Sequence, residues 1–281
     1  MRKLQLLLSV SFCLFMFSKV PGQTYINLQD NYIVSSNSHI IINPGTYAIA
    51  DPGNDGLLQL NNVENVIIEG TGVFANGSNS TGYVIKINNS KNITIKNFGM
   101  IRDYFYAVEA KNADSLFLNG NNFSYNKVDS TGWISIWTDY QQALGGGVMM
   151  YNCNHGRINN NNMKFQNDGV ALYHCDDFEI DNNDFSWNTS FGIRMYFTDS
   201  CYIHQNNASH VNRPYTDPSD CAALLVLVSN ENLVEYNDLS YSGDGVFLGQ
   251  YEYSNIPNNN KFFYNECSNS PHNAIEATFA A

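Results

Sequence analysis

The sequence predicts an all-β fold, a single-stranded parallel β-helix solenoid with an Asn ladder, and two observations predict it. An apolar strand, a short polar turn, a second apolar strand and an Asn-rich corner return in one frame. The clearest copies are Asp168-Gly169-Val170-Ala171-Leu172-Tyr173 leading to Phe178-Glu179-Ile180-Asp181-Asn182-Asn183, and Phe191-Gly192-Ile193-Arg194-Met195-Tyr196 leading to Cys201-Tyr202-Ile203-His204-Gln205-Asn206. Aligning the copies puts Val108, Val148, Val170, Ile193, Leu224, Val246 and Ile275 in one column, spaced 40, 22, 23, 31, 22 and 29 residues apart. The shortest spacing is the bare coil. The second observation is that the same frame stacks Asn121, Asn161, Asn183, Asn206, Asn237 and Asn265 at one corner. Asn accepts the left-handed backbone of a sharp corner, and its amide can hydrogen-bond from rung to rung. Period-2 alternation inside a period in the low twenties excludes a helical repeat. Val, Ile, Leu, Phe and Cys share the interior columns, which sets a leucine-rich repeat aside.

Taken in chain order, Arg2 and Lys3 precede an apolar stretch from Leu4 to Phe17 and then Val20-Pro21-Gly22. This pattern predicts a signal peptide over residues 1–22, cleaved after Gly22 or Gln23, and a β-helix domain over residues 23–281. A secreted protein, extracellular or periplasmic, is the expectation. Phe12 before Cys13 does not suit lipoprotein processing, and no other segment is apolar for long enough to span a bilayer. The formal net charge of -12 argues against nucleic acid and anionic membranes as partners. Past the signal, Cys153, Cys175, Cys201, Cys221 and Cys267 are odd in number, and Cys153 and Cys175 share a column. They read as an interior ladder of small hydrophobes, not as disulfides or a zinc site. The many Asn-x-Ser/Thr sequons, such as Asn188 and Asn207, bear on glycosylation only in a eukaryotic source.

Ile40-Ile41-Ile42-Asn43-Pro44-Gly45-Thr46-Tyr47 and Asn62-Val63-Glu64-Asn65-Val66-Ile67-Ile68-Glu69-Gly70-Thr71-Gly72 resemble the opening rungs of pectate-lyase-like right-handed β-helices. The resemblance runs through the Asn-cornered coils to the C-terminus. It is strongest to the carbohydrate-binding and sugar-hydrolase repeat group, which includes NosD-like proteins, polysaccharide lyases, epimerases and glycosidases. Right-handedness follows from this resemblance and from the crossover preference of parallel strands. The last rung, Asn273-Ala274-Ile275-Glu276-Ala277-Thr278, ends so near Ala281 that a truncated C-terminal end is expected.

Three segments exceed the bare coil: residues 124 to 145, 208 to 221 and 250 to 260. They are expected to wall a groove along the leading sheet. Trp133, Trp137, Tyr215 and Tyr251 on them, with Tyr173 and Tyr196 on the strands, are the candidate substrate-binding rings, since such rings suit sugar faces. In each leading strand the residue after the interior Val or Ile points outward, giving the column Glu109, Met149, Ala171, Arg194, Leu225, Phe247 and Glu276. A second outward column reads Lys111, Tyr151, Tyr173, Tyr196, Leu227, Gly249 and Thr278.

Two chemistries fit this face. A glycosidase needs two carboxyls about 5 to 9.5 Å apart. Asp244 and Glu276 on neighbouring rungs are the preferred pair, with His272 as acid or pKa tuner and Asp168 as a further candidate. A lyase or uronate C5-epimerase needs a base and a cation. Arg194 would be that cation, with Tyr196, Tyr173 or His272 moving protons. Against these stand plainer readings: Asp-Gly is a common turn, Arg194 can pair with Asp168 one rung away, Tyr151, Tyr173 and Tyr196 can be a packing ladder, and Lys111 with Glu109 a solvated pair.

The Asp-Pro-His motif of alginate epimerases is absent; Asp217-Pro218-Ser219-Asp220 lacks the His. The paired Asp, Gly-His-Gly and Arg-x-Lys elements of polygalacturonases are absent too. No metal site is expected and no cofactor is required, although Asp- and Asn-rich turns suit weak Ca²⁺ binding. The sequence therefore points to a polysaccharide or oligosaccharide partner and a glycoside hydrolase, with a lyase or C5-epimerase as first alternative and a noncatalytic binding or adhesion solenoid as second. A copper-insertion role of the NosD kind is a distant third, because His and Met are too scattered.

Overall fold

The computed structural model describes residues 22–129, 134–213, 221–249 and 259–278. The chain winds as stacked coils, and each coil lays one strand on each of two long sheets. Among the described residues the leading sheet has ten parallel strands, and Tyr106–Lys111, Gly146–Tyr151, Asp168–Tyr173, Phe191–Tyr196, Ala222–Leu227, Asp244–Gly249 and Asn273–Thr278 are its last seven. The second sheet also has ten, among them Asp114–Asn119, Asn154–Asn159 and Asp176–Asp181. A third face carries strands only in the early coils, Gly45–Ala48, Val73–Asn76 and Met100–Arg102. Beyond them it thins to one bridging residue per coil, through Asn122, Asn162, Asp184, Asn207, Asp238 and Glu266.

The predicted register holds along the whole leading sheet: Val108 pairs with Val148, and the column continues through Val170, Ile193, Leu224, Val246 and Ile275. Repeated period-2 strands leave one solution for burying that column, because a one-residue slip would turn it out to water. The residue ahead of each interior position faces inward as well. A Cβ on Gly169 would come within 2.5 Å of the Gly192 carbonyl oxygen and 2.6 Å of Phe185, so this rung takes only Gly there. Two inward residues in succession throw the one before them, such as Asp168 or Asp244, outward.

The Asn corner is a buried ladder. Nδ2 of Asn121, Asn161, Asn183, Asn206 and Asn237 donates to Oδ1 of the next member at 2.9 to 3.0 Å, and each amide also reaches a carbonyl of the preceding coil. The left-handed residue is the one before each ladder member: Gly120 with φ 67°, and Asn160, Asn182, Gln205, Tyr236 and Tyr264 with φ between 54° and 56°. The ladder Asn supplies the hydrogen bonds, and its predecessor makes the turn.

Another corner carries Tyr125, Phe165, Trp187, His210 and Tyr241 in that left-handed conformation, stacked ring on ring with centroids 4.3 to 6.4 Å apart. Left-handed backbone costs a non-Gly residue about 1–2 kcal/mol, and an aromatic contact is worth about 0.5–1.5 kcal/mol, so stacking offsets much of the strain. Cys153, Cys175 and Cys201 are buried thiols, and no disulfide forms among the described residues.

Candidate functional site

Among the described residues, the outer face of the leading sheet is covered over its middle rungs. Residues 134–145 lie across it as a strap. Ile136, Trp137 and Leu144 pack on Phe191, Ala222, Leu225, Leu227 and Phe247, while Tyr140 and Ala143 pack on Tyr106, Met149, Ala171 and Tyr173. The expected wall is therefore a cover, since its apolar side chains bury more surface lying over the sheet than standing beside it. Trp137 is part of that packing and not an open sugar platform. Trp133, Tyr215 and Tyr251 lie outside the described residues.

Beneath the strap, Arg194 and Asp168 form the pair anticipated as the plainer reading. Arg194 Nε donates to Asp168 Oδ2 at 3.2 Å, and both side chains are essentially inaccessible, at 1% and 0% exposure. Arg194 Nη1 donates to Thr138 Oγ1 at 2.5 Å and to the Ile136 carbonyl at 3.5 Å, and the guanidinium lies 4.3 Å above the Phe191 ring. Arg194 is thus held by the strap and by Asp168, which corrects its expected role as an open cation for a uronate. Burial pushes the Asp168 carboxyl up to about 6 although the guanidinium opposes it. The Tyr173 hydroxyl is pushed up to about 12 by the same burial. Tyr106, which the sequence reading passed over, joins the cluster; burial, with Asp168 next, raises its hydroxyl well above the usual phenol range. Tyr173 is fully buried and meets Tyr196 edge-on, with centroids 6.2 Å apart. Tyr196 is half-buried and packs under the strap. Tyr151 stacks on Tyr140 of the strap at 3.7 Å. Glu109 is buried between Lys86 Nζ, at 2.8 Å, and Lys111 Nζ, at 3.1 Å, so it is not the solvated pair expected.

One rung further along, Ala222, Leu225 and Leu227 present only apolar side chains. Past them the second cluster begins. His272 Nδ1 lies 2.8 Å from Asp244 Oδ1 and 3.4 Å from Glu276 Oε2. One ligand atom each from Asp244, His272 and Glu276 fall within 4.8 Å of one another. The backbone amide of Asn273 donates to Asp244 Oδ1 at 3.0 Å, and Asn273 Nδ2 donates to Glu276 Oε2 at 2.7 Å. The three residues meet because spacings of 28 and 32 residues return them to one rung approach. Burial raises the Asp244 carboxyl; its bond to His272 opposes the rise and the charge of Glu276 adds to it. Asp244 is fully buried, whereas the His272 and Glu276 side chains are 38% and 27% exposed. A carboxyl with no exposed surface cannot reach a glycosidic oxygen. Asp244 therefore orients the imidazole, and the groups that reach solvent are His272 and Glu276.

Two further groups have the donor types of a metal site. Glu179, Asp181 and His204 converge, but Arg157 occupies Asp181 with two bonds of 2.7 and 2.8 Å. Asp30, Asp51 and Asp55 converge near the N-terminal coils, where Asp51 is spent on the backbone amides of Asp55, Gly56 and Tyr83.

Coiling through three faces, the parallel register and the Asn ladder place the chain among known folds. Residues 146–281 match the family described as "Right handed beta helix region". The chain is a right-handed parallel β-helix. This β-helix is similar in structure to the Dettilon tailspike protein gp208, at 11% identity and a TM-score of 0.39, over 86% of this chain and 61% of that one. It is similar also to the A-modules of the mannuronan C-5 epimerases AlgE4 and AlgE6 of Azotobacter vinelandii. For AlgE4 the identity is 11% and the TM-score 0.31, over 90% of this chain and 88% of that one. For AlgE6 the values are 12% and 0.34, over 93% and 89%. The β-helix spans 61% of the tailspike's length, and at these identities the likeness is one of fold. No curated protein matches the chain.

Proposed function

We propose that this β-helix is an exported polysaccharide-cleaving enzyme, a glycoside hydrolase whose acid–base centre is His272 with Glu276, held by Asp244. The observation that carries the reading is an imidazole bonded to a buried carboxylate and flanked by a partly exposed one within 4.8 Å. In this reading Asp244 fixes the ring through Nδ1, and His272 donates a proton to the leaving oxygen. Glu276 stands beside it as base or nucleophile, steadied by Asn273 Nδ2. Positioned proton transfer of this kind contributes about 10²–10⁴-fold. Hydrolysis is favoured over elimination or epimerisation because this cluster is acidic and would repel a uronate, while Arg194 is committed beneath the strap. Export rests on Arg2, Lys3 and the apolar stretch from Leu4 to Phe17.

The test is product release from neutral and uronic polysaccharides, followed both by reducing ends and by unsaturated-uronate absorbance. New reducing ends without absorbance, reduced at least 100-fold in Glu276→Gln and in His272→Asn, are expected. Absorbance rising with the reducing ends would replace hydrolysis by elimination. Binding without any product would favour the noncatalytic solenoid.

A further inference from the structure

We propose that the ion pair beneath the strap is a saccharide-binding site, in which Asp168 and Arg194 clasp two neighbouring hydroxyls of a neutral sugar when residues 134–145 lift. The observation is a surplus of bonding capacity where none is expected. Asp168 and Arg194 touch at one point only, Nε to Oδ2, which leaves Asp168 Oδ1 and Arg194 Nη2 buried with no hydrogen-bond partner. The Tyr106 and Tyr173 hydroxyls are buried on the same face without a full hydrogen bond, near the Gly145 backbone and Thr138 of the strap. Four such groups in one place are rare, because an unmet buried polar group is costly, and more so when charged.

Folding does not require them. These positions face outward from the sheet, and the neighbouring rung fills them with Ala222, Leu225 and Leu227. Replacing a buried ion pair by apolar residues of similar volume is commonly neutral or stabilising. What the four groups share is the chemistry of a sugar. A carboxylate oxygen accepts from one hydroxyl, the guanidinium donates to its neighbour, and each phenol does either. Phe191, Met149 and Ala171 lie on the same face for the apolar side of the ring. A free carboxylate ligand fits less well, since Asp168 would face it.

The strap's side-chain hold on the pair is the two Arg194 bonds to Thr138 and Ile136, which sugar hydroxyls can replace, while its C-terminal end stays tied through the Gly145 carbonyl to the Asp168 amide at 3.2 Å and the Leu144 carbonyl to Asn167 Nδ2 at 2.6 Å. The site is distinct from the His272 centre and does not depend on hydrolysis there.

The experiment is titration calorimetry of the full chain, in a Glu276→Gln background that stops turnover, with cello-, xylo-, manno- and galacto-oligosaccharides. It is repeated with Asp168→Leu plus Arg194→Met, and with Tyr173→Phe. At least one oligosaccharide is expected to bind, with Kd weakened 100-fold or more by the double substitution and about tenfold by Tyr173→Phe, while the double variant melts at or above the parent temperature. Binding by none of the four series, or an unchanged Kd in the double variant, overturns the proposal. Should the double variant melt lower, Tyr173→Phe decides: parental affinity there overturns the site, and a weakened Kd at an unchanged melting temperature upholds it. Product release by the double variant with Glu276 intact reports separately on the His272 centre.

Discussion

Asp168-Gly169-Val170 and Asp244-Gly245-Val246 are the same tripeptide at the same register of the same sheet, yet they meet opposite fates. In both, the inward Gly and Val throw the Asp outward, and in both the carboxyl is fully buried with a raised pKa. Asp168 meets a guanidinium from the next strand and a strap that seals it. Asp244 meets an imidazole that stays partly in water. The local sequence sets where the carboxylate points; the residue one coil later sets what it can do. A repeat protein can thus keep one scaffold and change chemistry rung by rung.

The largest effect should come from isolating the two carboxylates. Arg194→Met leaves Asp168 buried beside an apolar chain, and urea unfolding should show a loss of about 3–5 kcal/mol. His272→Leu should cost only about 1 kcal/mol, because Asp244 keeps the Asn273 amide and its imidazole partner was half in water. Equal losses would mean that the two sites do not differ as described.

Next come the glycines. Gly169→Ala drives a methyl against the Gly192 carbonyl and the buried Phe185 ring, and should cost about 2–3 kcal/mol. Gly245→Ala meets the Ala274 carbonyl at 2.5 Å and Cys267 at 2.9 Å, near the less tightly buried last coil, and should cost less. Denaturant midpoints of the two variants give the order.

The pH dependence is of similar size. The folded pKa of Asp168, about 6, lies above an unfolded value near 3.9, so the native state holds the extra proton between them. Its contribution is complete below about pH 4 and is lost as pH rises through 6, on the order of 3 kcal/mol. Asp244 works in the same direction. Stability measured across this window should fall with rising pH, and Asp168→Asn should flatten most of the slope.

The smallest effect concerns the cover. Tyr140→Ala removes the stack on Tyr151, worth about 0.5–1.5 kcal/mol, and should speed hydrogen exchange in residues 134–145 without altering exchange around His272.

The sequence was most legible where it repeats. The interior column from Val108 to Ile275 and the Asn ladder could be read because each coil must bury the same face in the same register. The convergence of Asp244 with His272 and Glu276 was legible for that reason: Asp244 precedes the other two by about one coil. The strap was not, since residues 134–145 carry no repeat and hence no register to say whether they stand beside the sheet or lie over it. That uncertainty hid the burial of Arg194 and Asp168 and the part played by Tyr106 and Thr138. Stacked aromatics at left-handed corners were missed because a single Tyr or Trp carries no such preference alone; only ring contact between coils makes the conformation tolerable.

The apolar rung of Ala222, Leu225 and Leu227 has a kinetic consequence. A proton moves through a protein by hopping along donors and acceptors, and the side chains of Ala222, Leu225 and Leu227 offer none on the outer face. Those side chains give the two clusters no direct proton path across them. The His272 centre equilibrates with bulk water at once, whereas Asp168 must wait for its cover to open. After a rapid pH jump the same chain should briefly hold one cluster at the new pH and the other at the old, and the lag between them is a clock for the opening of the strap.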